Sequence, residues 1–425
     1  MRDLILAAIV FGSIPFILRN PFIGLLMWVW LGVMNPHKLA FGWAFHMPFA
    51  QVVAICTLLS MLFHKSKLYA FPKDRAAIAM LLFIMWLCVS PLFSFHPEWE
   101  FALWLHPMKV LFMVMVSLVL LGNRDELQKL VWVLALSLAF FGVKGGIFTI
   151  ATGGGGRVWG PPGGAIQDNN VLALAIIMII PLIRFLQLHT ENKWIMRGCL
   201  GAMALCLVSV VGSQSRGAFL ALGAMGFFLT MKSRRKGLIA LLTLCALPIA
   251  WWLMPESWSS RMSTIQTYDQ DASAMGRINA WWMAWNLAVD RFPIGGGFAI
   301  TNADVFQRYA PDPTIVLVAH SIYFHILGQH GFAGLALFLL LFGLAWMNGG
   351  WVVRNAKGHP ELQWARDLAA MCQVSLIGYA VGGMFLSLTY FDLPYYIVAI
   401  MVILRGLVKR KLEAPVSSSS AEAAR

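Results

Sequence analysis

Charge is what this chain lacks most. Lys, Arg, Asp and Glu make up 12% of its 425 residues, about half the ~25% of an ordinary soluble domain. Hydrophobic residues reach 59% and the mean hydropathy is +0.72, so a water-soluble globular enzyme is excluded. The cysteine pattern excludes a second class. Cys56, Cys88, Cys199, Cys206, Cys245 and Cys372 all lie in apolar runs, and none forms a CxxC pair; no disulfide or zinc framework is implied. No cleavable leader is expected either, because "MRDLILAAIVFGSIPF" has no small-residue cleavage pattern after a lone apolar core. The formal charge of +13 does not point to nucleic acid. Most Lys and Arg sit in short polar breaks such as "HKSKLYAFPKDR" (64–75), "KSRRK" (232–236), "VRNAKGHPELQWAR" (353–366) and "RGLVKRK" (405–411), as the positive-inside rule describes.

Long apolar runs are present instead, along almost the whole length. The chain reads as an all-α polytopic membrane protein. Spans are expected near 4–18, 21–34, 47–63, 76–93, 101–121, 127–148, 169–188, 194–211, 214–231, 237–253, 320–352, 364–386 and 389–408. The first two are short for a hydrocarbon core that needs about 20 helical residues, and are expected as a broken or re-entrant pair around "RNP" (19–21). The basic tail places the C-terminus in the cytoplasm together with the breaks at 232–236 and 353–366; 35–46, 94–100, 149–168 and 254–319 then face outward. Arg2 favours an inside N-terminus. An inside-to-inside path needs an even count, so about 12 transmembrane helices are expected, with 13 as the alternative. The largest outward segment, 254–319, holds four arginines against six acids. Within it 273–290 reads as a helix capped by Ser273, with Arg277, Trp281 and Trp285 on one face, and "FPIGGGF" (292–298) reads as a flexible turn.

Against that background a few polar residues stand out. Arg216, in "VVGSQSRGAFLA" (210–221), sits between two apolar runs, where an unpaired guanidinium costs at least ~2.5–3.5 kcal/mol. A snorkelling arginine at a helix end is the plain alternative, but a positive charge at the outer end runs against the positive-inside bias. A helix starting near Ser213 would add free N–H groups, and the two together suit a phosphate. Arg277 opens the loop helix; a solvated charge, or a partner for Asp269 or Asp271, is its other reading. His320 opens the span after the loop, and imidazole is the usual general base near neutral pH. His325 and His330 follow at spacings that cannot share one helix face, so a three-histidine metal site is not expected. "GGGGRVWGPPGGAIQDNNVLA" (153–173) is no Walker loop, since no GK[ST] follows; its glycines permit close backbone approach, and Arg157, Gln167, Asp168, Asn169 and Asn170 supply polar groups. "DQD" (269–271) matches a metal-binding acid pair by chance. Asp392 is an acid at an outer helix end near aromatics.

Together, the "SRG" between two spans, "GRINAWWMAW…FPIGGGF" in the large loop, "AHSIYFHILGQHGFAG" after it and "GRVWGPPGGAIQDNNVLA" before it resemble the O-antigen ligase and polymerase family of bacterial envelopes. The resemblance covers roughly residues 150–400. It divides the chain into an N-terminal transmembrane region (1–150), a ligase-like core (151–408) including loop 254–319, and a cytoplasmic tail (409–425). It implies a multi-pass inner-membrane glycosyltransferase with its site facing the periplasm and no cofactor or metal. The donor would be O-antigen on undecaprenyl diphosphate, and the acceptor a sugar hydroxyl of lipid A–core; membrane lipids are the remaining partners, and no nucleic acid is involved. By motif match, Arg216, Arg277 and His320 are the catalytic residues, and Arg157, Gln214, Asn170, Tyr323 and Asp392 are expected to bind substrate. The family often has Asn after the histidine; here Ser321 follows and is given no role. An O-antigen polymerase, a protein O-glycosylation ligase and a lipid-linked glycan transporter are the competing readings.

Overall fold

A computed structural model describes residues 1–232, 237, 272–386 and 388–413. The described chain is 78% helical and contains no strand. Its helices are α1 (Arg2–Arg19), α2 (Pro21–Met34), α3 (Phe49–Phe63), α4 (Arg75–Val89), α5 (Pro97–Leu120), α6 (Arg124–Ala151), α7 (Asn169–Leu188), α8 (Lys193–Gly212), α9 (Arg216–Lys232), α10 (Ala272–Asp290), α11 (Ala303–Tyr309), α12 (Ile322–Asn355), α13 (Gln363–Gly382) and α14 (Asp392–Glu413). Among the described residues six helices are long and apolar enough to cross a membrane: α4 with its following turn, α5, α6, α7, α8 and α12. α2, α3 and α9 are apolar but shorter. α1 carries Arg2, Asp3 and Arg19, and α14 carries Asp392, Arg405 and a basic last turn. The span expected at 237–253 and the "DQD" at 269–271 lie outside the described residues.

Sequence explains where the helices break. Pro21 can occupy the first turn of α2 because the N–H it lacks has no helical partner there. Asn20 ends α1 and caps α2, its Oδ1 accepting from Phe22 N at 3.2 Å. α7 is buried on every side, as are the first thirteen residues of α14, which suits helices that are apolar all round. The others pack about them and turn Leu4, Ile55, Phe63, Met85 and Leu200 outward, an apolar surface of the kind a membrane covers.

One end of the bundle is fixed by a polar cluster. Arg405 donates to Asn348 Oδ1 at 2.7 Å and pairs with Asp74 Oδ2 at 3.3 Å, while Asn348 Nδ2 donates to Asp74 Oδ1 at 2.8 Å. Asp74 also caps α4 through Ala76 N. This joins the lower ends of α4, α12 and α14, and it brings the basic break at 64–75 and the basic tail to one side.

At the other end α12 is broken rather than continuous. Gly331 has φ 66 and ψ −168. Tyr323 and Phe342 both reach the last turn of α13: Tyr323 Oη donates to Ala380 O at 2.9 Å, and the Phe342 and Tyr379 rings lie 5.5 Å apart. A straight helix would separate two such residues by about 28 Å, at 1.5 Å per residue, so α12 turns sharply at Gly331. The break is filled by "FPIGGGF". Gly296 N and Gly297 N donate to the freed carbonyls of Gly328 and Gln329 at 2.9 and 2.8 Å, and Ala333 N donates to Pro293 O at 3.2 Å. Irregular backbone at membrane depth is tolerated where protein satisfies it. The expected flexible turn is thus an inserted wedge, and the expected span 320–352 is two helices.

Glu100 of α5 holds the wedge from the other side. It is 4% exposed. Its Oε2 accepts from Phe298 N at 2.9 Å, and its Oε1 accepts from Ala299 N at 2.8 Å and from Ser94 Oγ at 2.7 Å. Below it His330 bridges Ser90 Oγ and Tyr390 Oη, Tyr390 Oη donates to Gln329 Oε1 at 2.6 Å, and Gln329 Nε2 donates to Phe298 O at 3.0 Å. Buried polar networks specify geometry when every member is satisfied.

Candidate functional site

α8 ends at Gly212, and the chain reverses through Ser213, Gln214 and Ser215. A side chain at Gly212 would collide with Thr149 Oγ1 at 1.9 Å, so glycine lets the turn lie on α6. Gln214 has φ 56. α9 therefore begins at Arg216, three residues later than the expected start at Ser213, and Ser215 Oγ caps it through Ala218 N at 3.2 Å. Arg216 is half-buried in the first turn of α9, where the helix dipole is positive.

The glycine-rich segment packs onto this turn. Val158 N donates to Gly212 O at 3.2 Å, Gln214 Nε2 donates to Gly154 O at 3.2 Å, and Arg157 Nε donates to Gln214 Oε1 at 3.4 Å. Asn169 Nδ2 donates to Ser213 O at 2.7 Å. Asp168 caps α7 through Asn170 N and Val171 N, and its Oδ1 also accepts from Asn170 Nδ2 at 3.0 Å. Arg157, Gln214, Asn170 and Arg216 thus form one neighbourhood.

His320 and Arg277 join it from the other side. α10 starts at Ala272, so Ser273 lies inside its first turn rather than before it. The tryptophan face of α10 packs along the start and the break of α12: Trp281 stacks on Phe324 at 5.1 Å, Trp285 meets Phe332, just past Gly331, edge-on at 5.6 Å, and Trp281 Nε1 donates to Ala319 O, before the helix, at 2.6 Å. Trp281 also lies 6.4 Å from Phe385, and a Cβ on Gly217 would come within 3.2 Å of Phe385 Cβ. The chain of contacts runs from Arg277's helix through Trp281 and Phe385 to the residue after Arg216.

His320 precedes α12 rather than opening it, with φ 44. Helix angles counted from His320 to His325 and His330 therefore do not apply. Of the described non-glycine residues only Asn35, Gln214 and His320 have positive φ. The left-handed region costs an L-residue about 1–2 kcal/mol, and strain of this kind concentrates at functional sites. Burial, with the Arg277 guanidinium second, holds the imidazole below its usual pKa of 6.5, while the Asp168 carboxylate pulls the other way. His320 therefore stays neutral, and able to accept a proton, to lower pH than an exposed histidine. An Asp168→Asn substitution keeps a capping oxygen for α7 but removes the opposing charge. The His320 titration midpoint, followed by NMR, is expected to move further down; a move upward would refute the coupling.

Two expected residues are placed differently. Tyr323 spends its hydroxyl on Ala380 O, an anchor to α13. Asp392 is buried against α2, its Oδ1 3.0 Å from where a Cβ on Gly32 would lie, and among the described residues it makes no ion pair. His325, Gln329 and Tyr390 were not expected at the site, yet they line a cavity that reaches Val318, two residues before His320. The two inside "FHILGQHGF" stood in a quoted motif without a role. Among the described residues no group of three or more His, Cys, Asp or Glu can hold a metal ion.

Residues 201–339 match the sequence profile of the family described as O-Antigen ligase. Over those residues the chain is similar to the O-antigen ligase family. That segment contains Arg216, Arg277 and His320, and its family is one of membrane glycosyltransferase-like enzymes of the O-antigen ligase and polymerase type. Residues 1–191 match a second profile, that of a family of unknown function, DUF5935. No curated protein matches the chain. α7 falls in the N-terminal match, yet it lies in the core against α9 and α13, so the ligase-family domain and the segment before it fold as one body.

Proposed function

We propose that the chain is an O-antigen ligase of the bacterial inner membrane, acting on the periplasmic side. It transfers a polysaccharide from undecaprenyl diphosphate to a sugar hydroxyl of lipid A–core. The observation that carries this reading is the convergence of His320, Arg277 and Arg216 at one end of the bundle, with Arg277 acting electrostatically on His320. His320 takes the proton of the acceptor hydroxyl. The hydroxyl oxygen bonds to the anomeric carbon as the bond to the diphosphate oxygen breaks, and the electron pair leaves on the diphosphate. Arg216 and Arg277 neutralise it. Fixed charges aimed at a developing anion in a water-poor site contribute several kcal/mol. Attack opposite the leaving group inverts the anomeric centre. A cavity of about 430 Å³ lined by Ile278, Trp281, Trp282, Trp285 and Phe324 adjoins Arg277, and suits the donor's polyprenyl chain.

A deletion strain tests the reading. Bare core with accumulated lipid-linked polymer is expected; core capped by a single repeat would mean a polymerase. Arg216→Lys and Arg277→Lys should each impair transfer at equal expression, because an ammonium keeps the charge but loses the fork that spans two phosphate oxygens. Near-normal transfer by both would reduce these arginines to markers of topology.

A further inference from the structure

A second cavity, of about 690 Å³, lies between α5 and the start of α12, within the ~300–1,000 Å³ range of small-molecule sites. One wall belongs to the N-terminal segment of unknown function and carries Glu98, Trp99 and His106. The other belongs to the ligase-family domain and carries Thr301, Val318 and His325. Val318 is two residues before His320, and His325 lies within electrostatic reach of His320. The cavity therefore adjoins the base.

The lining chemistry selects the occupant. Among the described residues no Lys or Arg lines the cavity, and Glu98 does, so a diphosphate is not matched there. Trp99 stacks on His96 with ring centroids 4.8 Å apart and planes 20° from parallel, which fixes its indole with one face covered. His325 commits Nδ1 to Thr389 Oγ1 at 2.9 Å, leaving Nε2 for a ligand; His106 and Thr301 add two more polar groups. A fixed aromatic plane with neutral donors and acceptors and one carboxylate around it fits a polyhydroxylated sugar. Glu100, one residue from Trp99, clamps the opposite wall through Phe298 N and Ala299 N, so the two walls hold a set distance.

We propose that this cleft is the acceptor subsite and binds the saccharide end of the acceptor, with the N-terminal segment supplying half of it. The proposal rests on the ligase reading. The acceptor hydroxyl would then meet His320, and the donor diphosphate would leave from the far side of the anomeric carbon, as in-line displacement requires.

The test uses full-length protein in detergent, the Trp99→Ala and Trp99→Phe variants, and core oligosaccharide freed of lipid. Trp99 is half-exposed, so both variants are expected to fold. Trp99→Ala should raise the acceptor KM by about tenfold, the scale of one lost aromatic contact, with donor KM and kcat unchanged; Trp99→Phe should stay near wild type. An unchanged acceptor KM, or a rise in donor KM instead, overturns the assignment. Calorimetric binding of the oligosaccharide decides the cleft separately from the reaction. If the wild type transfers nothing, the ligase reading fails and the acceptor role with it; the cleft remains a saccharide site if Trp99→Ala weakens oligosaccharide binding, and is not one if binding is equal.

Discussion

Replacing His320 by alanine should lower transfer by about 10²–10⁴-fold, the usual worth of general-base assistance, while the protein still folds and still binds donor. The fold should survive because His320 lies in the segment before α12 and is half-buried. The wild-type pH profile should show an acid limb below pH 6.5, because burial and Arg277 hold the imidazole below that value. Protonation removes the base, so activity falls as pH falls through the limb, and His320→Ala should lose the limb altogether. His330 is engaged through both ring nitrogens, and its replacement should act on stability instead. Purified His320→Ala that transfers glycan at the wild-type rate would end the catalytic assignment. Lost donor binding with an unaltered chemical step would make His320 a ligand.

The second large effect is expected at Gly331. An alanine there must adopt φ 66, and its Cβ would lie 2.1 Å from Pro293 O. The left-handed conformation alone costs about 1–2 kcal/mol, and the overlap with backbone requires the wedge to withdraw. Gly331→Ala should therefore give a lower Tm in detergent and lose transfer, since the wedge carries one wall of the proposed cleft. Gly343 lies in the same helix with nothing within 4 Å of an added Cβ. Gly343→Ala is the control and should be neutral or stabilising by up to about 1 kcal/mol. Equal melting of the two variants would show that the wedge yields freely.

How much of this was legible before the structure varies with the physics of each element. The tryptophan face of α10 was, because side chains four residues apart share a side of a helix whatever surrounds them, and Trp281 and Trp285 do pack together on α12. The break around Asn20 was, because proline and asparagine act locally. Arg216 stood out because a charge between apolar runs is costly wherever the helix starts. Its start was misplaced by three residues because Gln214 adopts a left-handed conformation, which nothing in its neighbours demands. The break at Gly331 was hidden because hydropathy runs on through it, and its cause lies some 35 residues earlier, in the wedge. Glu100 was hidden for the same reason: an acid near an outer helix end looks solvated until the amides of Phe298 and Ala299 arrive.

That last contact bears on how such a protein can be inherited. Glu100 lies in the segment of unknown function, and the amides it holds lie in the ligase-family domain. A ligase-family domain grafted behind a foreign N-terminal region would present two inward-facing N–H groups to whatever stood in place of that carboxylate, at about 1–3 kcal/mol for each donor left buried without an acceptor. Functional chimeras should therefore cross over before α5 or not at all, and the two segments should travel through lineages as a pair.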